Sequence, residues 1–151
     1  MAGHALLELE TFLPYRLSVL SNTLSQAIAR VYEKRFGLSV TEWRTMAVLG
    51  HCADLSAREV AERTAMDKVA ISRALARLLG KKLIERGTAA NDRRRSMLRL
   101  SAEGWKIYDQ VAPLALEHEQ RLLAHLSAEE REWLARILDT LWRAELAEAM
   151  R

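Results

Sequence analysis

The chain has a single cysteine, Cys52, in 151 residues. An intramolecular disulfide is therefore excluded, and a reducing, cytoplasmic location is expected. There are only two prolines. Pro14 falls in the first turn of a helix, where its missing amide costs nothing, whereas Pro113 falls well inside another and should kink it. Long apolar runs are absent: Thr45–Ala53 is typical and already contains His51, far short of the roughly 18 residues a transmembrane helix needs. The N-terminus carries Glu8 and Glu10 and no basic segment, so no signal peptide is expected. A Gly-rich phosphate loop, a zinc-ligand motif and a nucleophile elbow are all missing, so neither an enzyme nor a cofactor is expected. His4, His51, His118, His125 and Cys52 show no metal-ligand spacing, so no metal is expected.

Half the residues are apolar and 28% are charged, which allows a real core and argues against disorder. The formal charge of +3 is unevenly spread. Between Asp67 and Arg99 stand ten basic and three acidic residues. That segment carries +7, leaving −4 for the remainder. A basic face on a mildly acidic body points to a polyanionic partner.

Helix signals dominate. Ser39-Val-Thr-Glu42, Ser56-Ala-Arg-Glu59 and Ser127-Ala-Glu-Glu130 each fit a capping box, with the serine accepting from the N3 amide and the glutamate reaching back. The spacing predicts helices over about 11–36, 40–50, 57–64, 67–80, 102–125 and 128–150. Gly37 stops the first, and residues 5–9 form a short helix or arm before it. Between the fourth and fifth helices the period changes. Leu83–Arg86 and Ser96–Leu100 read as short strands flanking a polar, arginine-rich loop, Gly87–Arg95. The fold class is therefore mainly α with a small β-hairpin wing: a winged helix-turn-helix over 37–101, between a helical region over 1–36 and C-terminal helices over 102–151. No repeat or linker interrupts it, so one compact domain is expected.

Helix, short break, helix and basic hairpin together suit duplex DNA, whose major groove admits a helix N-terminal half. Ile71, Leu75, Leu78 and Leu79 share one face of the fourth helix and should pack inward. The opposite face carries Lys68, Val69, Ala70, Arg73, Ala76 and Arg77. Arg73 or Arg77 suits guanine, Val69 and Ala70 suit thymine methyls, and Lys68 and Ser72 suit phosphate; Ser56 joins them at the preceding helix start. In the wing, Arg93, Arg94 and Arg95 suit a narrow minor groove, with Arg94 inserted and Asp92 bracing its guanidinium.

The runs Leu38–Arg44, Leu55–Glu62, Met66–Arg73, Leu83–Arg86, Asn91–Arg94 and Leu98–Gly104 resemble the MarR family of bacterial transcription regulators. The wing Asp-x-Arg followed by Leu-x-Leu-Ser-x-x-Gly is the most specific element. The resemblance covers about 65 residues closely. It implies a homodimer, joined through the first, fifth and sixth helices, on a pseudo-palindromic double-stranded operator. Asp67–Leu79 matches the recognition helix and Arg94 the wing arginine. It further implies a repressor released when a small, often aromatic or anionic, effector enters a cleft between dimerisation and DNA-binding parts. Independently, Leu134, Ile137, Leu138, Leu141, Trp142 and Leu146 form an apolar stripe on the last helix that needs a partner.

Tyr15, Arg16, Trp43, Arg44, His51 and Tyr108, with Trp105, are the candidate effector residues, an aromatic wall with an arginine. Two alternatives stand beside this reading. Cys52 suits a redox switch if its thiolate is stabilised and accessible, although the C-terminal end of a helix opposes that. A protein-interaction antirepressor would keep the fold without DNA binding, but the intact basic face argues against it.

Overall fold

The structure, a computed structural model, describes residues 3–89 and 92–151, in the wing by backbone alone over 88–89 and 92–95. Its elements are α1 (Leu13–Phe36), α2 (Val40–His51), α3 (Ala57–Thr64), α4 (Lys68–Gly80), β1 (Ile84–Ala89), β2 (Asp92–Leu100), α5 (Ala102–Leu123) and α6 (Ala128–Ala149). The chain's internal contacts divide at Pro113, inside α5, into one unit ending at Ala112 and another spanning Pro113–Arg151.

Local chemistry accounts for the element ends. Pro14 lies in the first turn of α1, and Gly37 closes that helix in the left-handed region at φ 64°, its amide donating to Glu33. Both Ser56 and Ser127 complete reciprocal capping boxes, with Glu59 and Glu130. Glu130 is held below the usual carboxylate range by the Ser127 backbone amide and then by its hydroxyl. Residues 5–8 take neither helix nor strand, so the segment before α1 is an arm.

The box expected at Ser39 forms only by half. Ser39 accepts from the Glu42 amide at 3.1 Å, but the Glu42 carboxylate does not return to the cap. It turns inward instead, only 3% exposed, and accepts from Lys81 Nζ at 2.8 Å. The same ammonium donates to the Gly37 carbonyl at 2.8 Å. One charged group thus ties the end of α1, the start of α2 and the end of α4. A buried carboxylate is tolerated only with such a partner.

The core of the first unit forms around Leu38, Met46, Leu49, Val60, Ile71, Leu78, Leu98 and Val111, each at most 1% exposed. Each such side chain contributes roughly 1.5–3 kcal/mol relative to an exposed one. It unites α2, α3, α4, the hairpin and the first half of α5. Ser101 caps α5, accepting from the Gly104 amide at 3.0 Å and donating to the Lys82 carbonyl at 2.7 Å. A Cβ at Gly104 would collide with the Leu83 carbonyl oxygen, so this helix start packs against the chain only as glycine.

The hairpin is longer than its sequence pattern suggests. Antiparallel pairing runs from Ile84–Leu100 to Thr88–Ser96 and resumes at Ala89–Asp92. The expected loop at Gly87–Arg95 is therefore mostly ladder. The reason is that ladder hydrogen bonds join backbone groups, so pairing continues through polar residues without the apolar alternation of a half-buried strand. Residues 93–95 fall between the last two pairs as a register irregularity, not at a loop tip.

In the second unit, Ser127 and Arg131 organise the turn between α5 and α6, with Arg131 Nε donating to the Leu123 carbonyl at 2.9 Å. No residue of α6 is buried.

Glu42→Gln should lower stability in urea by about 2 kcal/mol, less than the 3–5 kcal/mol of a fully buried pair, because Lys81 stays 39% exposed. An unchanged urea midpoint would contradict the tie. Tyr32 supplies a second check. Its burial, followed by the charge of Glu33, pushes the phenol up to about 12, whereas unfolded tyrosine ionises near 10. The protonated phenol's contribution is full below pH ~10 and is lost as pH rises toward 12. Tyr32→Phe should remove that alkaline loss, measured as urea midpoints across the interval.

Candidate nucleic-acid interface

Two helices and the hairpin form the basic face. Ala65, at φ 51°, makes the left-handed turn between α3 and α4, a conformation costly for a residue with a Cβ. Asp67 then caps α4, accepting from the Ala70 amide at 3.3 Å. The inward face of α4 is buried at Ile71, Ala74, Leu75 and Leu78; Leu79 is half-buried. The outward face exposes Lys68, Val69, Ser72, Arg73, Ala76 and Arg77, with Ala70 half-buried. Val69 is 55% exposed, an apolar side chain at the helix start that no core position explains. The positive end of the α4 dipole adds to the cationic side chains there.

The two candidate base-reading arginines differ. Arg73 has no ion-pair partner among the described residues. Arg77 Nη1 stands 4.0 Å from the buried Glu42 carboxylate, so part of its charge faces inward. Ser56 is committed within its own helix, accepting from the Glu59 amide at 3.2 Å while its own amide donates to the Glu59 carboxylate at 2.7 Å. Arg58 was not singled out from sequence. It stands exposed in the first turn of α3 and, with Lys68 and Ser72, lines a hollow of about 280 Å³ between α3 and α4. The Ser56 cap was the signal that could have placed it.

The hairpin is anchored to the α2–α3 connection. Leu55 and Leu98 exchange backbone hydrogen bonds of 3.2 and 2.8 Å, which fixes the base of the wing beside α3. Asp92, Arg93, Arg94 and Arg95 belong to β2 by backbone; their side chains, and with them the Asp92–Arg94 brace, lie outside the described residues.

The effector candidates do not gather at one place. Tyr15 and Arg16 line an apolar hollow whose walls are all α1 residues, among them Leu13, Leu17 and Leu20. None of the other candidates lines it. Trp43 and Tyr108 stack in a row with core residues instead: ring centroids are 5.8 Å apart for Tyr32–Trp43 and for Trp43–Tyr108, and 5.2 Å for Trp105–Tyr108. Arg44 donates to Ser25 Oγ at 2.7 Å, and His51 is exposed at the end of α2. Cys52 is half-buried, and its Sγ accepts from Arg63 Nη1 at 3.5 Å. Among the described residues no group of three or more His, Cys, Asp or Glu converges for a metal, and no helix is long and apolar enough to cross a membrane.

Among the described residues, Lys68 and Arg73 form no hydrogen bond or ion pair that would tie them to the fold. Lys68→Ala and Arg73→Ala should leave the urea midpoint within about 0.5 kcal/mol of the parent, as surface changes do. Loss beyond that would mean that these side chains serve the fold.

Comparison with known proteins agrees with this arrangement. A family model described as the MarR family matches residues 36–95. The chain is 26% identical over 119 residues to Transcriptional regulator HosA of Escherichia coli O157:H7, an alignment that covers 79% of this chain and 88% of that protein. The crystal structure of a MarR/EmrR family transcriptional regulator from Acinetobacter sp. ADP1 superposes with TM-score 0.84 at 27% identity, over 94% of this chain and 99% of that one. MepR of S. aureus, crystallised as a MepR–DNA complex, superposes with TM-score 0.79 at 25% identity, over 89% and 97% of the two chains. Six helices with a two-stranded wing between the fourth and fifth are thus the architecture this chain shares with MarR-family transcription regulators, to which it is similar in sequence and fold.

Proposed function

We propose that the chain is a homodimeric, sequence-specific repressor that binds a pseudo-palindromic double-stranded operator and is released by a small aromatic or anionic effector. The observation that carries the DNA-binding part is the two-sided character of α4. Its apolar face packs into the core, while Lys68, Val69, Ser72 and Arg73 are exposed and have no hydrogen-bond or ion-pair partner among the described residues. Lys68, Ser72 and Arg58 suit phosphates, Arg73 a guanine edge and Val69 a thymine methyl. Arg77 is the weaker base reader because Glu42 draws on its charge. The wing adds Arg93, Arg94 and Arg95 beside the minor groove, with Asp92 as brace. The MepR–DNA complex supports DNA as the partner.

The dimer is supported by α6. Trp133, Leu134, Ile137, Leu138, Leu141, Trp142 and Leu146 are each between 38% and 60% exposed in the single chain. An apolar surface of that extent needs a second subunit. Two-fold pairing would set two copies of α4 about one DNA turn apart. For the effector, Tyr15 with Arg16 on the apolar α1 surface is the pair that best suits an aromatic acid. The Arg63 contact keeps Cys52 oxidation as the second reading of the signal.

Binding to duplex DNA from upstream of the chain's own gene, followed by fluorescence anisotropy across salt concentrations, tests the proposal. Saturation at two subunits per site, a steep negative salt slope and an excess over random duplex are expected. Affinity equal to that for random DNA would contradict it. Arg94→Ala should weaken operator binding by roughly 1–3 kcal/mol, read from the same titrations. Cys52→Ser should leave regulation intact; loss of a peroxide response in that variant would instead establish the redox reading.

A further inference from the structure

One arginine of the basic segment faces away from the role its charge suggests. Arg99, on β2, has its Nε 3.1 Å from Asp54 Oδ1, in the α2–α3 connection. That nitrogen is sealed from solvent and not aligned for a hydrogen bond with any acceptor, so the carboxylate acts on it as a charge. Glu85 lies directly across the ladder from Arg99 but forms no ion pair with it among the described residues. Asp54 reaches the arginine from backbone at φ 60°, a left-handed conformation that Asp and Asn tolerate better than most residues. The guanidinium is wedged against β1: a Cβ at Gly87 would collide with Arg99 Nη2 and stand 3.2 Å from Cζ. Next to this contact, Leu55 and Leu98 exchange the two backbone hydrogen bonds that join the wing to the connection.

We propose that Asp54, Arg99 and Gly87 form a side-chain brace that sets the wing's angle to the helix-turn-helix, making Arg99 a positioning residue and not a DNA contact. The proposal rests on the DNA-binding reading above. Three features converge on it. The charge of Arg99 already faces the carboxylate of Asp54, in the α2–α3 connection. Its guanidinium occupies the space over β1 that any other residue at Gly87 would fill. The pairs it stiffens, Gly87–Met97 and Thr88–Ser96, are the last regular ones before residues 93–95 interrupt the register. Residues 93–95 therefore lie beyond a hairpin base held by core packing, one backbone bridge and one ion pair. Burial of Ile84, Leu98 and Leu100 fixes the base itself; the Asp54–Arg99 pair adds a side-chain constraint farther out, beside the Gly87–Met97 pair.

The test combines operator titration with hydrogen exchange. Asp54→Asn removes the charge while keeping both size and tolerance of positive φ, and Arg99→Met keeps the stem while removing the guanidinium. Each should weaken operator binding roughly tenfold, about the loss of one groove contact. Neither should weaken it further in an Arg94→Ala background, because what the brace delivers is then already gone. In the free protein, amides of residues 84–100 should exchange faster in both variants. Tighter or unchanged binding by Asp54→Asn would overturn the proposal, because freeing a cation that touches phosphate strengthens binding. Equal losses from Arg99→Met with and without Arg94, together with a salt slope reduced by about one, would also overturn it and make Arg99 a phosphate contact. If the parent protein binds operator no better than random duplex, the DNA-binding reading fails separately. The brace is then decided by exchange alone, and rates equal to the parent's would refute it.

Discussion

Everything on the basic face depends on where α4 lies, and α4 is held at its far end by one buried carboxylate. Glu42 accepts from Lys81, which also reaches the carbonyl of Gly37. Three helix ends meet at that ammonium. Desolvating a carboxylate is costly, and the cost is offset only while its partner stays in place. The pair therefore acts as a register pin: α2 and α4 cannot slide past each other without stranding a charge. The apolar contacts of Leu49, Ile71 and Leu78 provide the bulk of the stability, but such contacts alone tolerate small shifts. The pin also explains why Lys81 and Arg77 differ from Lys68 and Arg73. The first pair faces Glu42, and the second makes no ion pair among the described residues.

The same division of labour appears in the wing. Leu98 and Leu100 face the core and Leu55 adds a backbone bridge, while positive charge accumulates in residues 93–95. Burial is concentrated at the base of the hairpin, and the three consecutive arginines fall beyond it along the strand. A basic segment of +7 on a chain of +3 is unfavourable to itself through self-repulsion. Two acids at its margins offset this: the buried Glu42 beneath α4 and the exposed Asp54 beside Arg99.

Much of this was legible in the sequence because helical periodicity and capping chemistry are local. Ser56, Gly37 and Asp67 each mark an element end from a few neighbouring residues, and the structure puts those ends where the pattern does. The outward face of α4 was equally readable, since Ile71, Leu75 and Leu78 leave only one direction for Lys68 and Arg73. What escaped was non-local. Ser39-x-x-Glu42 has the letters of a capping box, yet Lys81, 39 residues away, outcompetes the cap for the carboxylate. The wing strands were underestimated because ladder hydrogen bonds do not require the apolar alternation by which strands are recognised. The proposed effector wall mixed two populations. Trp43 and Tyr108 belong to a stacked row with Tyr32, whereas Tyr15 and Arg16 lie on the open surface of α1. Aromatic residues in a sequence do not declare which of these they are, because both settings reward the same large apolar ring.

The central claim is that the outward face of α4 and the wing together form one DNA-binding surface. It is tested most directly by hydrogen exchange of the full-length protein with and without a duplex from its own promoter region. The account predicts slowed exchange over residues 68–77 and 84–100, with random duplex giving much weaker protection at equal salt. Protection confined to other elements, or absent from α4 while the duplex is bound, would contradict it.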